Sequence, residues 1–146
     1  MLVDAMALAR VMLSDDHPFV RRGLRTILES TRQYEVCGEA GDGNETLEMA
    51  ASLAPDILIL DISMPGLNGL EVAARLRQSL LHTKILLITM HDSEEMLRAA
   101  AAAGVAGYLL KSDAEQLLIE ALQSVQEGRF FVSPAFDLSL VKQLFC

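Results

Sequence analysis

Aromatic residues are scarce in this sequence, which has no tryptophan and only 5% aromatic residues in all. Hydrophobic residues nevertheless make up 51% of the 146 residues, so the core must be mainly aliphatic. This content excludes a disordered chain, because disordered chains have too little apolar surface to bury. The length and composition therefore predict one compact domain with a proper core and at most a short appendage.

Cysteine is limited to Cys37 and Cys146, which form neither the paired spacing of a zinc site nor a disulfide framework. This scarcity fits a reducing cytosol, and we expect a cytoplasmic location. Long apolar runs are missing too, since none approaches the roughly 20 residues that a membrane-spanning helix needs. Residues 1–9 are apolar but lack a basic flank and contain Asp4, which indicates a tail before the domain rather than a signal peptide.

Positive charge is in the minority, with 12 lysines and arginines against 20 aspartates and glutamates and a net charge of −8. The basic residues are scattered, whereas nucleic-acid binding needs a cationic patch that faces the phosphates. Neither G-x-x-x-x-G-K nor G-x-G-x-x-G follows the first predicted strand. The sequence therefore disfavours direct binding of nucleic acid, and it disfavours a nucleotide or flavin binder.

One apolar stretch organises the rest of the chain. Residues 57–60 are four consecutive apolar residues, which predicts a strand buried on both faces of a parallel sheet. The run stops at Asp61, and Pro65 and Gly66 then break the chain into a loop. Because open α/β sheets bind their ligands at the carboxyl ends of the strands, Asp61 is a candidate functional residue.

Similar short strands alternate with amphipathic helices along most of the chain. The predicted strands cover residues 11–13, 35–40, 57–60, 84–89 and 105–111, and the helices begin near residues 17, 44, 67, 93 and 112. This alternation predicts a doubly wound α/β fold, a parallel sheet with helices on both faces joined by right-handed crossovers. Residues 128–146 depart from the pattern and must either dock on the domain or lead into a longer protein.

Polar residues stand at successive strand ends: Asp15 and Asp16, Asp61, Thr89 and Lys111. In a parallel sheet these ends lie at one edge, where three carboxylates would crowd together. Two like charges about 4 Å apart repel by roughly 4 kcal/mol at an effective dielectric near 20. A bound cation would offset this repulsion, and ligands that are all oxygen favour Mg²⁺.

With Mg²⁺ and the ammonium group of Lys111, this edge could receive a dianionic phosphoryl group. Asp61 would be the nucleophile, and Thr89 could donate a hydrogen bond to a phosphoryl oxygen. His17 and His91 flank the site without metal-ligand spacing, so we expect both to be bystanders. Each residue taken alone has a common structural explanation, such as a helix cap for an aspartate pair. Their coincidence at the ends of one sheet favours chemistry.

The same residues resemble a known family. The Asp15-Asp16 pair, the Asp61-x-x-x-Pro65 loop, Thr89 and residues 107–111 closely resemble the receiver domain of two-component response regulators. Residues 15–18 and 87–92 look more narrowly like the NarL/FixJ (LuxR-type) subfamily. The resemblance covers about residues 10–130 and implies a flavodoxin-like (βα)5 fold with strand order 2-1-3-4-5. It predicts a tail at 1–9, a receiver domain at 10–129 and a linker or stub at 130–146.

The resemblance also implies a role for each acidic residue. Asp61 would be the phosphoacceptor, which takes its phosphoryl group from a sensor histidine kinase with the help of Lys111. Asp16 would bind Mg²⁺ directly and Asp15 mainly through water, and the main-chain carbonyl of Ser63 would complete the protein ligands. The only catalysis implied is on the protein itself, namely its own phosphorylation and dephosphorylation.

Thr89 and Tyr108 match the switch pair of that family. On phosphorylation the Thr89 hydroxyl would move towards the phosphoryl group, and Tyr108 would turn inward to fill the space. The surface around the fourth helix and fifth strand would change, and phosphorylation would favour a homodimer. Two dimer faces stay open, one on the first and last helices of the receiver and one on the fourth helix with the fifth strand.

Members of this subfamily usually continue into a helix-turn-helix domain, whereas this sequence ends at Cys146. We therefore expect a receiver fragment of a transcription regulator, which contacts DNA only through a domain absent here and has no membrane partner. The alternative is a stand-alone receiver that acts by protein–protein binding. A Mg²⁺-dependent phosphohydrolase is disfavoured, because Ser63 occupies the position where such enzymes carry a second acid. A degenerate receiver is disfavoured because the site residues are intact.

Overall fold

The computed structural model describes residues 8–80 and 82–146. Within these residues six parallel strands form one sheet in the order β2-β1-β3-β4-β5-β6. The strands are β1 (Ala9–Ser14), β2 (Tyr34–Ala40), β3 (Ile57–Asp61), β4 (Lys84–Thr89), β5 (Gly107–Leu110) and β6 (Phe131–Val132). The predicted α/β class and the order 2-1-3-4-5 are confirmed. Most of the predicted tail, residues 1–7, lies outside the described residues.

The helices pack on both faces of the sheet. They are α1 (Pro18–Ser30), α2 (Gly43–Leu53), α3 (Gly69–Ser79), α4 (Glu94–Ala102), α5 (Ala114–Gln126) and α6 (Leu138–Phe145), and a 3-10 turn (Lys111–Asp113) precedes α5. None of the helices in the described part of the chain is both long and apolar enough to cross a membrane.

Strand β3 shows why the sequence has a continuous apolar run at its centre. All five of its residues are buried. Leu58 and Leu60 pack into the hydrophobic cluster beneath α2, α3 and α4, whereas Ile57 and Ile59 pack into the cluster beneath α1 and α5. Since both faces of the strand are covered, neither can be polar, and the run ends only where the strand reaches the edge of the sheet.

Three helix starts differ from the sequence predictions. Helix α2 begins after Asp42, whose side chain accepts a hydrogen bond from the Glu45 N–H at 2.8 Å, so Asn44 is not the cap. Helix α3 begins after Asn68, which forms a capping box with Glu71. The capping box predicted near residue 112 is absent, because the 3-10 turn runs directly into α5 and Asp113 makes no side-chain cap bond.

The C-terminal segment, residues 130–145, docks on the domain and adds a strand that the sequence did not predict. The Phe131 N–H donates to the Ala106 carbonyl at 3.3 Å, and the Ser133 N–H donates to the Tyr108 carbonyl at 2.9 Å. Leu140 of α6 is buried in the same cluster as the core of α3 and α4. Docking, the first of the two expectations for these residues, is confirmed, and a linker or stub at 130–146 stays a prediction.

Glycine at residue 69 fixes the path of the loop after β3. A Cβ atom there would lie 2.7 Å from the Cα of Ile62 and would also clash with the main-chain oxygen of Asp61. We expect Gly69→Ala to lower the free energy of unfolding by about 3 kcal/mol, because the backbone of β3 would have to move. Urea denaturation followed by circular dichroism measures this change.

Gly23 provides the matched control. It lies inside α1, and an added Cβ would meet nothing within 4 Å. Gly23→Ala is therefore expected to raise the free energy of unfolding by about 0.5–1 kcal/mol, since alanine restricts the unfolded chain and fits the helix. Equal effects of the two substitutions would contradict the role assigned to residue 69.

Candidate functional site

The carboxyl ends of the central strands lie level with one another. Asp61 at the end of β3 pairs with Ile88 of β4, and Thr89 of β4 pairs with Leu110 of β5. Asp15 follows directly on β1, which is the neighbour of β3 on its other side. Strand register thus brings the polar residues of four separate segments to a single edge, as the sequence predicted.

A lysine bridges the two buried carboxylates at this edge. Lys111 Nζ lies 3.0 Å from Asp15 Oδ2 and donates to Asp61 Oδ2 at 3.3 Å. Asp15 is 1% exposed and Asp61 is 2% exposed, so both carboxylates depend on this ammonium group for charge compensation. Burial disfavours the charged ammonium, but the hydrogen bonds and charges of Asp15 and Asp61 outweigh it and raise the pKa of Lys111.

The surroundings of Asp61 disfavour its charged form. Burial raises the pKa of Asp61, and the negative charge of Asp15 raises it further. Lys111 and the Ser63 N–H, which donates to Asp61 Oδ1 at 3.2 Å, oppose this shift without cancelling it. The pocket therefore carries more negative charge than its own lysine compensates, and it favours the arrival of further positive charge.

The donor atoms of this pocket fit a hard divalent cation. Ligand atoms of Asp15, Asp16, His17 and Asp61 all lie within 4.8 Å of one another. Two of these oxygens are buried, and their partners among the described residues stand at ion-pair distance: Lys111 Nζ lies 3.0 Å from Asp15 Oδ2, and His17 Nδ1 lies 2.9 Å from Asp16 Oδ1. Carboxylate oxygens that converge on one point are the ligands that Mg²⁺ prefers.

His17 is closer to the acidic pair than the sequence predicted. The main-chain N–H of His17 donates to Asp15 Oδ1 at 2.8 Å. Its ring Nδ1 lies 3.0 Å from the same oxygen and 2.9 Å from Asp16 Oδ1. The expectation of a bystander rested on metal-ligand spacing along the chain, which says nothing of a ring that folds back on its own neighbours. His17 therefore lies against the acidic pair as a partner of both carboxylates.

Thr89 and Tyr108 bind the main chain of the same residue, His91. Thr89 Oγ1 accepts a hydrogen bond from the His91 N–H at 3.1 Å, and the Tyr108 hydroxyl donates to the His91 carbonyl at 2.7 Å. Both side chains are buried, and burial together with the nearby charge of Asp92 raises the pKa of Tyr108 to about 12. In this structure the tyrosine ring already points into the protein.

His91 also connects the loops after β3 and β4, since its Nε2 lies 3.3 Å from the Ser63 hydroxyl. A movement of either loop would therefore change the position of the other through this contact. His91 was predicted to flank the site, whereas this contact was not predicted, because the two loops are far apart along the chain.

An arginine that the sequence analysis did not single out supports the acidic loop. The Arg21 guanidinium donates to the main-chain carbonyl of Asp15 and, at 3.1 Å, to Glu39 Oε1. Arg25 binds the other oxygen of Glu39. Although burial opposes the charged carboxylate, these two arginines lower the pKa of Glu39. Helical arginines are common on solvated faces, so no sequence signal distinguished Arg21 from its neighbours.

Comparison with protein families shows which family carries this set of strand-end residues. The family model for the response regulator receiver domain matches residues 11–123 of the chain. The chain belongs to this family. The resemblance to a receiver domain, drawn from the strand-end residues, is confirmed. The acidic residues of the pocket all lie within the matched region.

Similar proteins place the receiver domain in the NarL/LuxR type. It is 36% identical to the nitrate/nitrite response regulator NarL of Escherichia coli over 136 residues, which cover 93% of this chain and 63% of NarL. It is 37% identical to the response regulator UvrY of the same species over 123 residues, 84% of this chain and 56% of UvrY. The receiver domain thus spans about three fifths of the length of these relatives.

Solved structures agree with the sequence relatives. A LuxR-family two-component response regulator from an Aurantimonas species matches with a TM-score of 0.87 and 34% identity, covering 94% of this chain and 98% of that one. The receiver domain of the putative response regulator NarL from Mycobacterium tuberculosis matches with a TM-score of 0.80 and 38% identity, covering 84% and 98%. The receiver domain is therefore a component of phosphorylation-based two-component signalling.

Proposed function

We propose that the receiver domain takes a phosphoryl group from a sensor histidine kinase onto Asp61, with Mg²⁺, and thereby changes its surface to control an output. The observation that carries this proposal is the position of Asp61. It is a buried carboxylate at a strand end, bonded by Lys111 and facing two further acids. A nucleophile so placed is held in one orientation and is shielded from competing water.

The chain supplies the donors that a phosphoryl group needs. The Lys111 ammonium and the Ser63 N–H already point at the two oxygens of Asp61, and each could turn its hydrogen bond to a phosphoryl oxygen. Mg²⁺ would be held by the carboxylates of Asp15, Asp16 and Asp61 with the Ser63 carbonyl. It would supply positive charge against the developing negative charge of the transferred group.

Thr89 and Tyr108 would convert this chemistry into a change of surface. The Thr89 hydroxyl would turn from the His91 N–H towards the new phosphoryl oxygens. The Tyr108 ring already points inward, and the space left by the Thr89 hydroxyl would favour this inward position further. The loop at His91, which both side chains hold, would move with them.

The surface between α1 and α5 favours a partner at that face. It carries an open groove of about 610 Å³ lined by Phe19, Ile27 and Ala114, and Phe19 is 81% exposed. This aromatic ring on α1 therefore lies in solvent. The alternative face on α4 and β5 is partly covered by residues 130–145. Of the two dimer faces that the sequence left open, these observations support the one on α1 and α5.

The output would be transcription, through a DNA-binding domain that is not within these 146 residues. Two observations support this part of the proposal. The net charge of −8 makes the receiver itself unsuited to DNA, and the relatives that it matches are named as response regulators and transcriptional regulators.

Phosphoryl uptake tests the proposed function. The protein is incubated with acetyl phosphate, with Mg²⁺ or with a chelator, and its intact mass is measured while released phosphate is assayed in parallel. We expect one added phosphoryl group, or continuous release of phosphate, and both should require Mg²⁺. If Mg²⁺ produces neither an adduct nor released phosphate, the proposed function is wrong.

A further inference from the structure

The C-terminal segment, residues 130–145, packs against β5, the strand that carries Tyr108. Ser133 is 1% exposed, and its hydroxyl accepts a hydrogen bond from the Leu110 N–H at 2.8 Å. The Ser133 N–H donates in turn to the Tyr108 carbonyl at 2.9 Å. The segment is therefore bonded to the residues on both sides of Leu109 in β5, next to the switch tyrosine.

An aromatic contact joins the segment to the tyrosine side chain itself. The rings of Tyr108 and Phe136 meet edge to face, with centroids 5.4 Å apart and planes at 88°. Tyr108 is fully buried and Phe136 is 8% exposed, so the contact is shielded from water. The hydroxyl at the far end of the same tyrosine ring bonds the His91 carbonyl. A single side chain thus spans from the loop after β4 to the C-terminal segment.

Helix α6 buries its apolar residues against the same part of the receiver. Leu140 and Val141 are each 7% exposed and belong to the same hydrophobic cluster as Leu97 of α4 and Tyr108. Phe145 at the end of α6 packs on Phe130, with ring centroids 5.2 Å apart. A helix of 8 residues is too short to be stable in water alone, so its docking is set by these contacts.

We propose that the Tyr108–Phe136 contact couples the phosphorylation site to the docking of residues 130–145, so that a phosphoryl group on Asp61 tightens the segment. The proposal rests on the proposed function, since it needs the site to accept a phosphoryl group. Its direction follows from the proposed switch. The edge-to-face contact is made with Tyr108 pointing inward, and the proposed movement of Thr89 would favour that inward position.

Thermodynamic linkage makes the coupling reciprocal. If occupancy of the Asp61 site tightens the segment, then loosening the segment must weaken occupancy by the same factor. Phe136 is on this account a positioning residue, since it touches none of the acidic residues and acts through Tyr108. Phe136→Leu keeps an apolar side chain of similar size but removes the ring, which makes it a milder test than Phe136→Ala.

Hydrogen exchange on the whole chain tests the proposal, with Mg²⁺ and BeF3⁻ as the probe that stands in for the phosphoryl group. Fluorine-19 NMR first reports whether BeF3⁻ binds, and mass spectrometry then follows the amides of residues 131–145. We expect binding to slow their exchange by about fivefold or more, the low end of couplings between linked sites. Phe136→Leu and Phe136→Ala should lose this slowing, and BeF3⁻ affinity should fall by the same factor.

Leu138→Ala is the matched control, because Leu138 lies on the same segment but is 65% exposed. It should retain both the slowing and the affinity of the original protein. Bound BeF3⁻ with unchanged or faster exchange in residues 131–145 would overturn the coupling and leave phosphoryl acceptance intact. Absence of BeF3⁻ binding would instead contradict the proposed function, so the two failures are distinguishable.

Discussion

Replacing Lys111 with alanine is expected to lower the free energy of unfolding by about 2–3 kcal/mol in the absence of divalent cations. Its ammonium is the cation that lies between the buried carboxylates of Asp15 and Asp61. Removing one partner of a fully buried ion pair costs about 3–5 kcal/mol, because a charge is left uncompensated. We expect a smaller loss here, since the Lys111 side chain is 18% exposed and water can reach it.

Urea denaturation with and without Mg²⁺ measures this effect and its cause. Added Mg²⁺ should recover more stability in Lys111→Ala than in the original protein, because the pocket of the variant lacks its own cation. Lys142→Ala is the control, since Lys142 is exposed at the end of α6 and should change stability by less than about 0.5 kcal/mol. Equal losses for the two variants would contradict the charge balance assigned to the pocket.

Replacing Asp61 with asparagine is expected to abolish phosphoryl uptake and yet to stabilise the fold, by about 1 kcal/mol at neutral pH. The uptake fails because an amide cannot act as the nucleophile. The stabilisation follows from the raised pKa of Asp61, which burial and the charge of Asp15 cause. Asparagine keeps the shape of the side chain and removes the crowded charge.

The pH dependence of this difference has a definite sign. A carboxyl whose pKa is raised by folding contributes stability at low pH, below its unfolded pKa, and that contribution is lost as pH rises through the folded value. The advantage of Asp61→Asn should therefore be small in acid and grow towards neutral pH. Glu120→Gln, at an exposed position of α5, should show no such trend. Thermal melts from acid to neutral pH measure the stability of both variants. A stability advantage of Asp61→Asn that shrinks as the pH rises would contradict the raised pKa of Asp61.

Much of the architecture was predictable because burial constrains sequence strongly in a doubly wound sheet. The run at residues 57–60 must be apolar on both faces, and the residue that ends it must be polar because it reaches the edge. The meeting of Asp15, Asp61 and Lys111 followed from strand ends alone, since all parallel strands finish on one side. The short β6 gave no such signal, because a strand of two residues is too short to show a hydrophobic period.

The side-chain contacts within the site were harder to predict than the identity of the residues that form it. His17 folds back on the acidic pair, and Arg21 reaches the Asp15 carbonyl, through side-chain orientations that sequence spacing does not encode. The same is true of Phe136, which meets Tyr108 across 28 residues of chain. Sequence patterns report which residues are buried and where strands end, whereas the pairing of side chains depends on the packed structure.

The most direct test of the central claim is to find which carboxylate carries the phosphoryl group. After incubation with acetyl phosphate and Mg²⁺, borohydride reduces an aspartyl phosphate to homoserine, which peptide mass spectrometry locates. The account predicts homoserine at residue 61 alone, and none when Mg²⁺ is withheld. Homoserine at residue 15 or 16, with Asp61 unmodified, would contradict it.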